Sequence, residues 1–497
     1  MITESITESI FIREFVHELH NRNVAVFAGA GLSKDAGYAD WKGLLKDIIN
    51  DLGLDLDEDY DLNLITIAQY HCNQAGGNRS QVTQLILDYF SQTKNPTENH
   101  KILAQLPIQT YWTTNYDKLI ETALIEAKKV PDVKYTLRQL SVTRPYRDVV
   151  VYKMHGDVDN PYDAVILKDD YESYPLKMSP FISALRGDLI EKTFLFLGFS
   201  FKDPNIDYVL SRVRALYENH QRRHYFIQRK VSKLVNDTDE SFKHRELKQQ
   251  YFIRDLKRFN IQTILVNEYE DIPKLLEKID KLYKRSSIFI SGAAEVYGNL
   301  SPIDARSFIY ELSKQVALNK DQNNMNRKNN TNRIITGFGL GVGDAVINGV
   351  LAYLNDAGKT ISEENIVMRP FPQFTTYGIS LADQRTKYRK SMIEQAGIAI
   401  FVYGNKIDSE NNIVLSEGMK EEFELCKDAG VLPIPVGATG YMAEKLWNEV
   451  WEDFDTYYPD ASQSFKNNFE KLGDKSLATS YLISIILDLI QDIQRCY

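Results

Sequence analysis

Four stretches of this sequence end an apolar run in residues able to do chemistry: "VAVFAGAGLSKDAG" at 24–37, "IQTYWTTNYD" at 108–117, "VVVYKMHGDVD" at 149–159 and "TFLFLGFSFKD" at 193–203. In the first, Ala28, Gly29, Ala30, Gly31 and Ser33 lie between a strand and a helix. Small residues there let a backbone approach a phosphate, with the amides of the helix N-terminus aimed at it. The bland alternative is a strand that simply ends in glycine. The spacing is not G-x-G-x-x-G, because Leu32, Ser33 and Lys34 follow Gly31. In the second stretch Thr114, Asn115 and Asp117 follow a strand; a turn-forming Asn and a helix cap would also explain them. In the third, His155 stands beside Gly156. An unperturbed imidazole titrates near pH ~6.5 and can take a proton at neutral pH, although a lone histidine is often a satisfied structural residue. In the fourth, Gly198, Ser200 and Asp203 precede Pro204, and the last two could simply cap a helix.

A second set lies in the C-terminal half. "TGFGLGVGDAV" places Gly337, Gly339 and Gly341 between a strand and a helix, and "SIFISGAA" ends a strand at Ser291 and Gly292. "MRPFPQ" and "RTKYRK" add Arg369, Lys387 and Arg389. Guanidinium and ammonium groups beside glycine loops suit a pyrophosphate; ordinary surface solvation is the other reading.

The elements that must position these groups read as strands alternating with helices, hence an α/β fold with parallel sheets. Residues 1–23 read as a helix, with Ile10, Phe11, Phe15, Val16 and Leu19 at helical spacing. An amphipathic helix is expected around 41–52, and 62–106 reads as helical with a turn at "HCNQAGGNRSQ". Further strands are expected at "HYFIQ" and "IQTILVN". In parallel sheets ligands bind outside the carboxyl ends of the strands. All four stretches carry their polar residues at that end, which argues for one shared site. After "KLLEKIDKLYKR" a second α/β pattern begins, so domains are expected at 1–284 and 285–497. The polar stretch "LNKDQNNMNRKNNTNR" reads as a surface loop of the second domain.

A chain of 497 residues suggests two or three domains. A net charge of -9 without a basic tail argues against nucleic acid as partner. No apolar run reaches membrane-spanning length, and the acidic N-terminus "MITESITESIFIREF" is unlike a secretory signal, so a cytoplasmic protein is expected. Cys72, Cys426 and Cys496 are too few and too scattered for a four-cysteine zinc site, and no metal is expected.

Taken in order, A-G-A-G-x-S, T-N-x-D, H-G-D and G-x-S-x-x-D resemble the sirtuin family over residues 10–280. The resemblance implies that residues 28–33 hold the pyrophosphate of NAD+. Thr114, Asp117, Gly198, Ser200 and Asp203 would complete that site, Asp117 by orienting a neighbouring loop. Asn115 would fix the ribose and the attacking water, and His155 would act as general base. Protein-deacetylating sirtuins carry a four-cysteine zinc module that this chain cannot build. Peptide deacylation is therefore disfavoured, water becomes the acceptor, and the expected activity is NAD+ glycohydrolysis. The C-terminal half resembles the SLOG domains, but "VLSEGMKEEFE" lacks the P-G-G-x-G-T-x-x-E signature of their enzymes. This favours a sensor, with Glu417 and Glu421 either orienting a ligand or lying on a helix surface. A sirtuin-like domain followed by a SLOG domain resembles the Thoeris anti-phage effectors. That implies a cyclic ADP-ribose isomer as activator, made by a TIR-domain partner and bound by the SLOG residues above, and a homo-oligomer, expected as a tetramer. Two alternatives stay open: a non-catalytic module that binds NAD+ or ADP-ribose, and an acyl-lysine deacylase. The Asn115–His155 pair favours the enzyme over the module, and the cysteine count argues against the deacylase.

Overall fold

The structure is a computed structural model that describes residues 5–38, 41–54, 64–318, 331–375, 378 and 380–495. The chain forms two compact units, Met1–Asp280 and Lys281–Tyr497. In the first, seven strands form one sheet: β1 Val24–Ala28, β2 Thr110–Thr113, β3 Pro131–Lys134, β4 Val149–Lys153, β5 Thr193–Leu197, β6 His224–Arg229 and β7 Ile261–Val266. Their order is β3-β4-β2-β1-β5-β6-β7 and every pairing is parallel. Both faces are covered, so β1 and β5 are buried along their whole length, and β1 and, after Thr193, β5 read as apolar runs. The chain builds outward from β1 through β2 to one edge, then returns to β5 on the other side. The crevice at this reversal, between β1 and β5, is where such sheets bind ligands. The four chemistry-bearing stretches end β4, β2, β1 and β5, which are consecutive in the sheet.

The first helix runs Glu8–His20 and buries Phe11, Phe15, Val16 and Leu19, while Ile10 faces solvent. The helix expected around 41–52 is two pieces, Trp41–Leu44 and Lys46–Asp51. The helical segment resolves into Leu64–Gln74, Ser80–Phe90 and Glu98–Gln105, with residues 62 and 63 outside the described residues. Gly76 and Gly77 take positive φ in the turn after the first of these. Ile67, Val82, Ile86 and Phe90 pack with Tyr116, Val158 and Ile166, so these helices buttress the segments that carry Asn115 and His155.

In the second unit the strands are β8 Ser287–Ala293, β9 Arg333–Thr336, β10 Ile366–Met368, β11 Ile398–Tyr403, a hairpin of β12 Asn405–Ile407 with β13 Ile413–Leu415, and β14 Leu432–Pro435. The order in its main sheet is β10-β9-β8-β11-β14, again all parallel. Its reversal falls between β8 and β11. The apolar face of the last helix, Thr479–Arg495, closes the core through Ile486, Leu489 and Ile490. Residues 319–330 of the expected surface loop, and Cys496, lie outside the described residues. Among the described residues no helix is long and apolar enough to cross a membrane.

Candidate functional site

The loops after β1 and β5 meet backbone to backbone. Gly29 N donates to Leu197 O at 2.9 Å and Gly31 N to Gly198 O at 2.9 Å. A Cβ on Gly29 would lie 2.5 Å from Gly198 O, and one on Gly31 2.9 Å from the Gly198 Cα. Gly198 itself has φ +61°, and its Cβ would overlap the Leu32 amide. The glycines are therefore required first by the contact between the loops. The room that the sequence suggests for phosphate at these side-chain positions holds the neighbouring backbone.

Asn115, at the end of β2, is held from several sides. Its backbone N–H donates to Thr113 Oγ1 at 3.0 Å, and Thr113 Oγ1 donates to Ala28 O at 2.9 Å. Its Nδ2 donates to Gly29 O at 3.0 Å and to Ser33 Oγ at 2.9 Å. Ser33 Oγ in turn donates to Asp117 Oδ2 at 2.7 Å, and Asp117 Oδ1 accepts from Leu119 N at 3.0 Å, at the start of the Leu119–Glu126 helix. Both Asp117 oxygens thus face protein groups. Thr114 is buried beside them.

Lys153, which the motifs above leave out, ends β4 opposite Thr113 and is fully buried. Its ammonium donates to Asp117 O at 2.5 Å, Tyr116 O at 3.2 Å, Glu121 Oε1 at 3.0 Å and Asp157 Oδ2. Burial lowers its pKa, and the Glu121 and Asp157 carboxylates outweigh that, holding it above the usual lysine value. One cation therefore ties the Asn115 segment to the His155 segment. A single lysine closing an apolar strand next to H-G-D is the sequence signal for it.

His155 is 1% exposed, with Nε2 3.1 Å from Asp203 Oδ2 and its ring edge-on to Tyr171 at 5.3 Å. Neither ring nitrogen has an aligned hydrogen bond. Asp203 Oδ1 accepts from Asn205 N at 2.9 Å and Ile206 N at 3.3 Å, capping the Pro204–Tyr217 helix. Asp203 is thus both the helix cap and the carboxylate facing the histidine. Ser200 is exposed.

The second unit holds a cavity of about 880 Å³ at the carboxyl ends of β8, β9 and β11. Ser291, Gly292, Gly337, Gly339, Gly341 and Arg389 line it. The lining also takes Phe371, Arg385, Lys406 and Glu422, which the sequence motifs do not single out. Arg369, Lys387 and Glu417, which they do, are not part of that lining. The reason is helix phase. Arg385 and Arg389 share one face of Leu381–Ile393, Lys387 lies across it, and Glu417 is exposed at the start of the Glu417–Ala429 helix. Arg369 continues the β10 ladder through its N–H to Thr336 O at 3.0 Å. Arg389 pairs with Glu421 at 2.6 Å and Glu422 at 3.4 Å and lies 4.9 Å from the Phe371 ring centre. Glu422 also accepts from Ser291 Oγ at 2.5 Å. Burial pushes its carboxyl pKa up, against the lowering by Ser291 and Arg389.

Residues 109–256 match the family described as SIR2-like domain, and residues 271–493 match the Sir2- and TIR-associating SLOG family. The chain is similar to the protein named NAD(+) hydrolase ThsA from Bacillus cereus (strain MSX-D12), 48% identical over 97% of this chain and 98% of that one. It is also similar to a protein of the same name from Acinetobacter baumannii (strain 532279), 43% identical over 97% of this chain and 98% of that one. A more distant relative is Defense-associated sirtuin 2 from Bacillus subtilis, 28% identical over 63% of this chain and 31% of that one.

Proposed function

The chain belongs to the family of NAD(+) hydrolases named ThsA, and from that premise we propose how its two units divide the work. The first unit hydrolyses NAD+ in anti-phage defence. Nicotinamide leaves C1′ of the ribose through an oxocarbenium-like state, water adds there, and the products are nicotinamide, ADP-ribose and a proton. His155 takes that proton, from the water or from a ribose hydroxyl that assists it, and Asp203 faces the ring from the other loop. Asn115 orients the water. The observation that carries this reading is the convergence of Asn115 and His155 at the ends of adjacent strands, beside the reversal of the sheet. The loop at residues 28–33, with Thr114, takes the pyrophosphate side.

Asn115 is 8% exposed and His155 1% exposed, which fits a resting site closed to a dinucleotide. Opening it is the task of the second unit, whose cavity binds a cyclic ADP-ribose isomer made by a TIR-domain partner. A ligand shifts such an equilibrium only by its differential affinity for the open state. The assembly is a homo-oligomer, taken as a tetramer, working in the cytoplasm. Incubating the purified chain with NAD+, with and without cyclic ADP-ribose isomers, and following nicotinamide release tests this directly. Little release alone and a rise with one isomer are expected. Full activity without nucleotide overturns the switch, and no release under any ligand favours a binding module.

Within that cavity Arg385 and Arg389 supply the anion-binding charge. A charged hydrogen bond is worth ~1.5–3 kcal/mol, so Arg389→Ala should raise the activation midpoint by roughly ten- to a hundredfold. The maximal rate should stay at the wild-type level. A lower maximal rate at an unchanged midpoint would move Arg389 from the sensor to the relay.

A further inference from the structure

We propose that Asp117 is a positioning residue that fixes the direction of the hydrogen bonds reaching Asn115. The inference rests on the reading above, in which Asn115 faces the attacking water. It starts from what each group can donate. The Asp117 carboxylate only accepts, and Oδ1 is taken by the Leu119 amide, so Oδ2 takes the one proton of Ser33. With that proton committed, Ser33 Oγ offers Asn115 only lone pairs. The group placed 2.9 Å away must be Nδ2, and the Gly29 carbonyl at 3.0 Å makes the same demand. Both N–H bonds of the amide are then used inside the protein. Oδ1 is the only part of the Asn115 side chain left to offer, and an acceptor is what turns a water's lone pair toward an electrophilic carbon. Lys153 keeps the source of the chain in place, through its bond to the Asp117 carbonyl at 2.5 Å.

Asp117→Asn keeps the shape and breaks the direction. The substituted side chain keeps an oxygen toward the Leu119 amide and turns an N–H₂ group toward Ser33. The Ser33 proton is then no longer committed to Asp117 and is free to turn toward Nδ2 of Asn115, so the amide is no longer held in one direction and can tilt or flip against Gly29 O. Misplacing a reacting group by ~1 Å can cost about a hundredfold, so kcat should fall by between about ten- and a hundredfold, with KM little changed. Adding Ser33→Ala removes the misdirected proton and lets Gly29 O hold the amide alone. The double variant should therefore be more active than Asp117→Asn by itself, whereas a merely structural Asp117, although coupled to Ser33, leaves the double variant no more active than Asp117→Asn.

The experiment compares nicotinamide release, with the activating cyclic ADP-ribose isomer present, by wild type, Asp117→Asn, Ser33→Ala, the double variant and Asn115→Ala, with melting midpoints recorded for each. Recovery in the double variant supports the chain of directed bonds. Wild-type kcat in Asp117→Asn, or a double variant no better than Asp117→Asn, overturns it while leaving Asn115 as assigned. A fully active Asn115→Ala removes the catalytic assignment itself, and the proposal with it.

Discussion

His155→Ala and Asn115→Ala should each lower nicotinamide release by about 10²–10⁴-fold while nucleotide binding by the second unit is unchanged. The range is that of a lost general base. For His155 the argument is positional. Its segment leaves β4 directly beside the segment carrying Asn115, and the Asp203 carboxylate lies 3.1 Å from Nε2. For Asn115 the loss has a second part, because a water without its acceptor no longer points at the ribose carbon. Both side chains belong to the first unit, so a titration of the nucleotide by calorimetry should give the wild-type affinity in both variants. Near wild-type turnover in either one would remove the role assigned to it.

The four strands behind this site are legible because a parallel strand covered on both faces is predominantly apolar. The abrupt change to Ala-Gly-Ala-Gly, Thr-Asn, His-Gly or Gly-Phe-Ser therefore marks its end. β3 is not legible. It opens at Pro131, which suits an edge strand, and carries Asp132 and Lys134, paired to each other at 2.9 Å, so no apolar run marks it. The purpose of Gly29 and Gly31 is also out of reach, since it depends on Gly198 being folded against them. Asp203 reads as either cap or site residue, and its two oxygens do one job each. In the second unit, "RTKYRK" announces cations without saying which turn inward. The Leu381–Ile393 helix is polar on most of its circumference, so no apolar stripe sets its phase, and the sequence points to Lys387 while it is Arg385 that lines the cavity.

Replacing Lys153 by methionine should destabilise the first unit by about 3–5 kcal/mol, the usual cost of leaving a buried charge without its partner. Methionine fills nearly the same volume, so the loss comes from charge and hydrogen bonds rather than from a cavity. Glu121 and Asp157 keep their places in the interior, and the carbonyls of Tyr116 and Asp117 lose their donor. The deficit should depend on pH, with a sign that follows from the carboxyls. Burial already raises the Glu121 pKa, and removing the ammonium takes away the largest influence that opposes it. An acid whose folded pKa lies above its unfolded value of ~4.3 favours the folded state at low pH and loses that advantage as pH rises through the folded pKa. Lys153 in the native protein behaves differently. Its pKa is raised, so its contribution is complete below about pH 10, the ordinary lysine value, and constant from pH 5 to 8. Thermal melts of the two proteins should therefore diverge between pH 5 and pH 8, with the variant closer to wild type at pH 5. Adding Glu121→Gln should narrow the gap at pH 8 by removing one of the stranded charges. A deficit below about 1 kcal/mol, within the range of an exposed ion pair, or a gap that does not widen with pH, would show that this cluster is solvated rather than sealed.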